Sequence, residues 1–161
     1  MGDLRFGRTV RSLVHVLAKE PSNHIEFVSS PILDLSEDIK ETLDIAGISY
    51  NEHSRGSALR EILPKTDVLY VTRTQTEEGA PTIDADEFVV TRELADLLPE
   101  HALILHPMPI DREKGLCTEI ALDVDDHPRA MWIRQASNGL YVRMALIERI
   151  LEGEPILAPA A

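Results

Sequence analysis

The stretch DVLYVTR (67–73) places four apolar residues in a row, Val68 to Val71. A strand that is apolar on successive positions is buried on both faces, which requires a sheet with helices packed on either side. HALILHP (101–107) has the same character, and HIEFVSS (24–30) and ISYNEH (48–53) are shorter β-rich runs. Between them the apolar period changes to that of a helix. Val10, Leu13, Val14 and Leu17 recur at i, i+3, i+4 and i+7, predicting a helix over 9–19. SEDIKETLDIAG (36–47) predicts a second, with Ser36 as N-cap, Ile39, Leu43 and Ala46 inward, and Gly47 as the stop. A brief helix is expected from Ala58 to Leu63, ended near Pro64, and Thr91 can cap another over RELADLL. Residues 127–153 read as one long helix with a bend near Asn138-Gly139. Polar TEEGAPTIDADE (76–87) reads as a loop and EPILAPAA (154–161) as a frayed or separately docked tail. This alternation predicts an α/β fold, a three-layer doubly wound parallel sheet, in a single domain over 1–161.

Composition narrows the partners. The net charge is −12 over 161 residues, from 16 Lys+Arg against 28 Asp+Glu. That balance argues against nucleic acid and anionic membrane, which both reward excess positive charge. On so acidic a chain, a well-placed arginine carries more information. Cys117 is the only cysteine, which excludes an intrachain disulfide and fits a reducing compartment; cytoplasmic is the expected location. The six histidines show no spacing that recommends a metal, and neither phosphate-loop nor dinucleotide-binding glycine patterns occur, so no cofactor is expected.

In doubly wound sheets ligands bind beyond the carboxyl ends of the strands, where the strand order reverses. Three loops qualify. The first is GDLRFGRTV (2–10), where Gly2 and Gly7 permit a tight turn and Arg8 and Thr9 stand at the mouth of a helix. Helix amides beside a guanidinium suit a carboxylate or phosphate; a surface arginine lying over the sheet edge is the equal alternative. The second is TRTQ (72–75), in which Arg73 and Gln75 project the same way if the chain stays extended, with Thr72 supporting. Pairing of Arg73 with a surface acid is the alternative. The third is HPMP (106–109): Pro107 and Pro109 remove two amide donors and leave the Met108 carbonyl to accept from a ligand. His106 reads as a structural histidine rather than a general base, and the Met108–Pro109 bond as a candidate for the cis form.

GDLRFGRTVRSL, DVLYVTRTQ, LHPMP and EIALDVDDHPRAMWIRQASNGLYVRMAL, in this order, resemble the aspartate carbamoyltransferase family over essentially the whole chain. The part resembled is the C-terminal L-aspartate-binding domain, with a Rossmann-like fold. The resemblance implies that Arg8 and Arg73 bind the carboxylates of L-aspartate with Gln75 assisting, and that the backbone of Met108 and Pro109 meets carbamoyl phosphate and the incoming amine. The related ornithine carbamoyltransferases are the runner-up. They carry a cysteine where this chain has Pro107 and an acidic clamp where it has Arg73-Thr74-Gln75, so two cations favour the dicarboxylate. The family's carbamoyl-phosphate domain has no counterpart in the sequence, so the isolated chain is expected to be inactive and to act with such a domain, within a trimer as the family does. A non-catalytic dicarboxylate-binding or regulatory module is the alternative, and a scaffold without ligand the third reading.

Three departures from the family pattern stand out. Ile110 follows Pro109 where an arginine is usual, 111–119 reads as an insertion, and Gln75-Thr76-Glu77-Glu78 lacks the usual basic residues that serve domain closure. In the family an apolar strand precedes the 2–8 turn at the centre of the sheet, between the strands corresponding to 24–30 and 67–73. The sheet is therefore expected to lack that central strand, with the gap closed by another chain, by self-association or by re-pairing.

Overall fold

The computed structural model describes residues 1–54, 56–73, 88–110 and 119–153. In chain order its elements are α1 (Arg8–Leu17), β1 (His24–Val28), α2 (Glu37–Ala46), β2 (Ser49–His53), α3 (Leu59–Ile62), β3 (Val68–Tyr70), α4 (Arg92–Asp96), β4 (Leu103–Leu105) and α5 (Trp132–Leu151). β1 pairs in parallel with β2, and β3 in parallel with β4. The sheet thus comes as two parallel halves.

The layers follow from side-chain alternation. Phe27 packs with Val10 and Val14 of α1 and Ile39 and Leu43 of α2, whereas the next residue, Val28, packs with Leu59, Leu63, Leu69 and Ile104. Successive strand residues face opposite sides, so the two apolar clusters lie on opposite faces of the sheet. Helices α1 and α2 cover one face at β1–β2, and α3 and α4 pack with β3–β4 on the other. The three-layer arrangement expected from the apolar runs is present.

Met1 and Gly2 lie between the two halves. The Met1 nitrogen donates to the Tyr70 carbonyl at 2.7 Å and the Thr72 amide donates to the Met1 carbonyl at 2.9 Å, which sets Met1 opposite Val71 in a parallel ladder. On its other side the Gly2 amide donates to the Val28 carbonyl at 3.0 Å. β1 and β3 do not pair with one another, so re-pairing is not how the centre of the sheet is organised. At the far edge Arg129 to Met131 run beside β4: Ile104 donates to Arg129 at 2.7 Å and Met131 to Ile104 at 3.0 Å. Across the sheet the order is therefore β2, β1, Met1–Gly2, β3, β4 and 129–131, and chain order reverses between β1 and β3.

Several sequence expectations hold locally. Gly47 ends α2 at φ 70°, a left-handed conformation that glycine adopts without steric cost. The Thr91 hydroxyl caps α4 by accepting from the Leu94 amide at 3.4 Å.

Others are corrected. Ser36 stands at the start of α2 but makes no cap bond; its hydroxyl accepts from Arg11 at 3.4 Å. The 58–63 helix does end close to Pro64, at Ile62, but Pro64 itself falls in the first turn of a following 3₁₀ segment, Leu63–Lys65, where the missing N–H costs nothing. The long C-terminal helix begins at Trp132 rather than near 127, since the backbone at 129–131 is drawn into the sheet beside β4. From there it continues as one helix to Leu151. The polar 76–87 loop, nearly all of the 111–119 insertion and the 154–161 tail lie outside the described residues.

Among the described residues, α5 is buried only at its base. Trp132 is buried in the core, while Ile133, Leu140, Tyr141, Val142, Met144, Leu146, Ile147, Ile150 and Leu151 are all exposed.

On the face of β1–β2 opposite α1 and α2, Glu26 accepts from His53 at 2.7 Å, His24 at 2.8 Å and Asn51 at 3.1 Å. Partial burial pushes the Glu26 carboxyl up, but the bonds from His53, His24 and Asn51 outweigh it and hold the carboxyl below its usual value of 4.5. A carboxyl depressed in the folded state adds stability above its unfolded pKa and loses it as pH falls through the folded value. Glu26→Gln is therefore expected to lower stability at about pH 6, with the difference shrinking toward about pH 3. Urea midpoints of both proteins across that range check this; a difference independent of pH contradicts it.

Candidate functional site

The site is assembled at the reversal of strand order. Three chain segments meet at the carboxyl ends of the central strands: the 2–8 loop, 71–73 after β3, and 106–109 after β4. They are joined by backbone bonds, Thr72 to Met1 as described and Val71 to the Leu105 carbonyl at 2.9 Å. The expectation that these loops lie together is met in the fold.

Asp3 shapes the first loop. It is fully buried, and its Oδ1 accepts from the amides of Arg5 at 3.1 Å and Phe6 at 2.8 Å. That side-chain turn folds the chain back so that α1 starts at Arg8 with Gly7 as its N-cap. Neither a side-chain cap nor an acidic residue occupies the first turn of α1, so the positive end of its dipole is not offset there. Arg8 is exposed at that point. The Asp3 Oδ2 atom is buried without a hydrogen-bond partner among the described residues.

Thr72 holds the first and second loops together. It is buried, and its hydroxyl donates toward the carbonyls of Met1 at 3.2 Å and Asp3 at 3.4 Å. Gly2 sits at φ 111°, and a Cβ there would stand 2.4 Å from the Thr72 carbonyl oxygen. Arg73, next in sequence, is exposed just beyond this junction. Tyr70 of β3 is half-buried near Thr9 of α1; burial raises its hydroxyl pKa and the Thr9 side chain offsets part of that rise. Gln75 lies outside the described residues.

In the third segment Met108 and Pro109 are exposed, Met108 has φ 44°, and the Met108–Pro109 bond is cis. His106 is buried; its Nδ1 accepts from the Met108 amide at 3.1 Å and its Nε2 lies 3.9 Å from the Glu119 carboxylate. The His106 backbone amide donates to Gln135 Oε1 of α5 at 3.0 Å.

The arrangement sets two exposed guanidinium groups, those of Arg8 and Arg73, on segments clamped to each other, beside a helix N-terminus and a loop rich in carbonyl acceptors. Such a set suits a small dianion carrying an N–H group. Asp3 and Gln135 are absent from the residues that sequence reasoning picked out. The Asp-x-x-x-Gly spacing before a helix is a turn signal that points to Asp3, whereas nothing local marks Gln135.

The sequence of residues 1–150 matches the family model of the aspartate/ornithine carbamoyltransferase Asp/Orn binding domain. The chain belongs to this family. Among curated relatives, the chloroplastic aspartate carbamoyltransferase of Oryza sativa subsp. japonica is 43% identical over 158 residues, covering 95% of this chain and 41% of that protein. The aspartate carbamoyltransferase catalytic subunit of Vibrio vulnificus is 37% identical, covering 94% of this chain and 47% of that protein. Of solved structures, the catalytic subunit of M. jannaschii aspartate transcarbamoylase superposes with a TM-score of 0.81 at 35% identity, over 94% of this chain and 47% of that one. The Trypanosoma cruzi enzyme in complex with carbamoyl aspartate and phosphate does so with a TM-score of 0.78 at 27% identity, over 91% of this chain and 46% of that one. The chain thus spans less than half the length of these relatives. It corresponds to their C-terminal domain, with the Rossmann-like fold. No described helix is long and apolar enough to cross a membrane, and the plant relatives are chloroplastic.

Proposed function

We propose that this chain is the L-aspartate-binding half of an aspartate carbamoyltransferase. The observation that carries the reading is the clamp at Thr72, which joins the loop bearing Arg8 to the strand end bearing Arg73 at the switch point of the sheet. In this reading Arg8 and Arg73 hold the two carboxylates of aspartate and Gln75 assists. The Met108 and Pro109 carbonyls face carbamoyl phosphate and the incoming amine. The α-amine attacks the carbonyl carbon; the C–N bond forms, the C–O bond to phosphate breaks, and the amine gives up a proton as phosphate leaves. The protein contributes by positioning and electrostatic stabilisation.

A carbamoyl-phosphate domain, in the same or another chain, completes the site, within a trimer. Two observations support such a domain: the chain matches less than half the length of its relatives, and the apolar length of α5 is exposed among the described residues. The single cysteine supports a reducing compartment, and we place the protein in the cytoplasm. The test mixes the chain with a separately produced carbamoyl-phosphate domain from the same source and measures N-carbamoyl-aspartate. Product is expected only from the mixture. Turnover at an ordinary enzymatic rate by the chain alone, or none in the mixture, contradicts the reading.

A further inference from the structure

Between His106 and Pro109 no backbone amide is free, and Met108 and Pro109 are exposed. The His106 amide donates to Gln135 Oε1 at 3.0 Å, and the Met108 amide donates to His106 Nδ1 at 3.1 Å. Pro107 and Pro109 have no amide to offer. Every donor in the segment is therefore either turned inward or missing, while Met108 and Pro109 stay exposed.

We propose that Gln135 and His106 are positioning residues that draw the amides of 106–109 inward, so that the segment presents only acceptors to an N–H-bearing part of the substrate. This rests on the reading of Met108 and Pro109 as substrate contacts. Two features make the arrangement a built one. An imidazole nitrogen that accepts a bond carries no proton, so the His106 ring is neutral with its hydrogen on Nε2, the side facing Glu119. The ring is also fully buried, which fixes its plane. Met108, at φ 44°, adopts a conformation that an L residue holds only when its surroundings impose it, and the bond to His106 is one such constraint. Gln135 lies in the first turn of α5, beside the buried Trp132, so its acceptor comes from a part of the helix that is anchored.

The chemistry of this selection is simple. A free amide at Met108 would attract phosphate or carboxylate oxygens to the position where a carbamoyl or amino N–H has to sit. Engaging both amides removes that competition and leaves the segment complementary to donors alone.

Three measurements on the full chain test this. Long-range ¹⁵N spectra of the wild type are expected to show His106 Nδ1 unprotonated and Nε2 protonated; a proton on Nδ1 overturns the proposal. Gln135→Met, which removes the acceptor, is expected to speed hydrogen exchange of the His106 amide about tenfold, and Gln135→Glu, which keeps one, to leave it within about threefold. Equal exchange in wild type and Gln135→Met overturns it, and so does a Gln135→Glu that exchanges as fast as Gln135→Met. In the mixture with a carbamoyl-phosphate domain, Gln135→Met is expected to lower kcat about tenfold while KM for aspartate stays within about twofold, with Gln135→Glu restoring most of the rate. An unchanged kcat, or a rise in KM alone, overturns it. Should the wild-type mixture form no product, the half-enzyme reading falls, and the tautomer and exchange measurements still decide the role of Gln135 and His106.

Discussion

Arg8→Ala and Arg73→Ala are each expected to cut kcat/KM for aspartate, in the mixture with a carbamoyl-phosphate domain, by about 30-fold to several thousand-fold. The figure follows from truncating one member of a desolvated charge pair, worth roughly 2–5 kcal/mol at about 1.4 kcal/mol per factor of ten. Lysine at Arg73 is expected to recover only part of the loss, because an ammonium keeps the charge but not the planar fork that matches a carboxylate. Both arginines are exposed in the chain, so thermal midpoints of the variants should stay close to wild type. A variant that loses activity together with its folded state says nothing of ligand binding, and unchanged thermal midpoints separate the two cases. Full activity of either alanine variant would remove that residue from the site.

Gly2→Ala is expected to produce the largest loss of stability at the site. Gly2 sits at φ 111° with the Thr72 carbonyl oxygen 2.4 Å and the Thr72 hydroxyl 2.6 Å from where a Cβ would stand. The backbone conformation alone costs an L residue roughly 1–3 kcal/mol. The clash adds to it, because the opposing atoms are a backbone carbonyl and a buried side chain that have little room to yield. At about 2–4 °C per kcal/mol for a chain of this size, the thermal midpoint should fall by several degrees or more. The same junction carries the bonds of Thr72 to Met1 and Asp3, so aspartate affinity in the mixture should fall as well. Gly2→Ala with a wild-type midpoint would mean that the turn does not press against Thr72.

The local features of the fold were legible because their causes are local. A left-handed stop at Gly47, a cap at Thr91 and apolar runs at 67–73 and 101–107 each depend on residues within one turn or one strand of each other. Errors came where a distant partner intervened. Arg11 took the hydroxyl of Ser36 from its cap role, and Ile104 drew 129–131 out of the helix that the pattern at 127–153 suggests.

The candidate site divides the same way. Arg8, Arg73, Met108 and Pro109 could be named from the sequence because strand ends and helix starts mark where ligands reach a doubly wound sheet. Gln75 was named on the same grounds and lies outside the described residues. The sequence by itself determined which residues carry charge and which lack an amide, and so what class of ligand the loops suit. Only the tertiary structure decided that Thr72 clamps the two arginine-bearing segments and that Asp3 folds the first loop. It alone showed Gln135, 29 residues away along the chain, holding the His106 amide. Those contacts join elements whose proximity is set by sheet order and by buried hydrogen bonds, and sequence spacing does not encode either one.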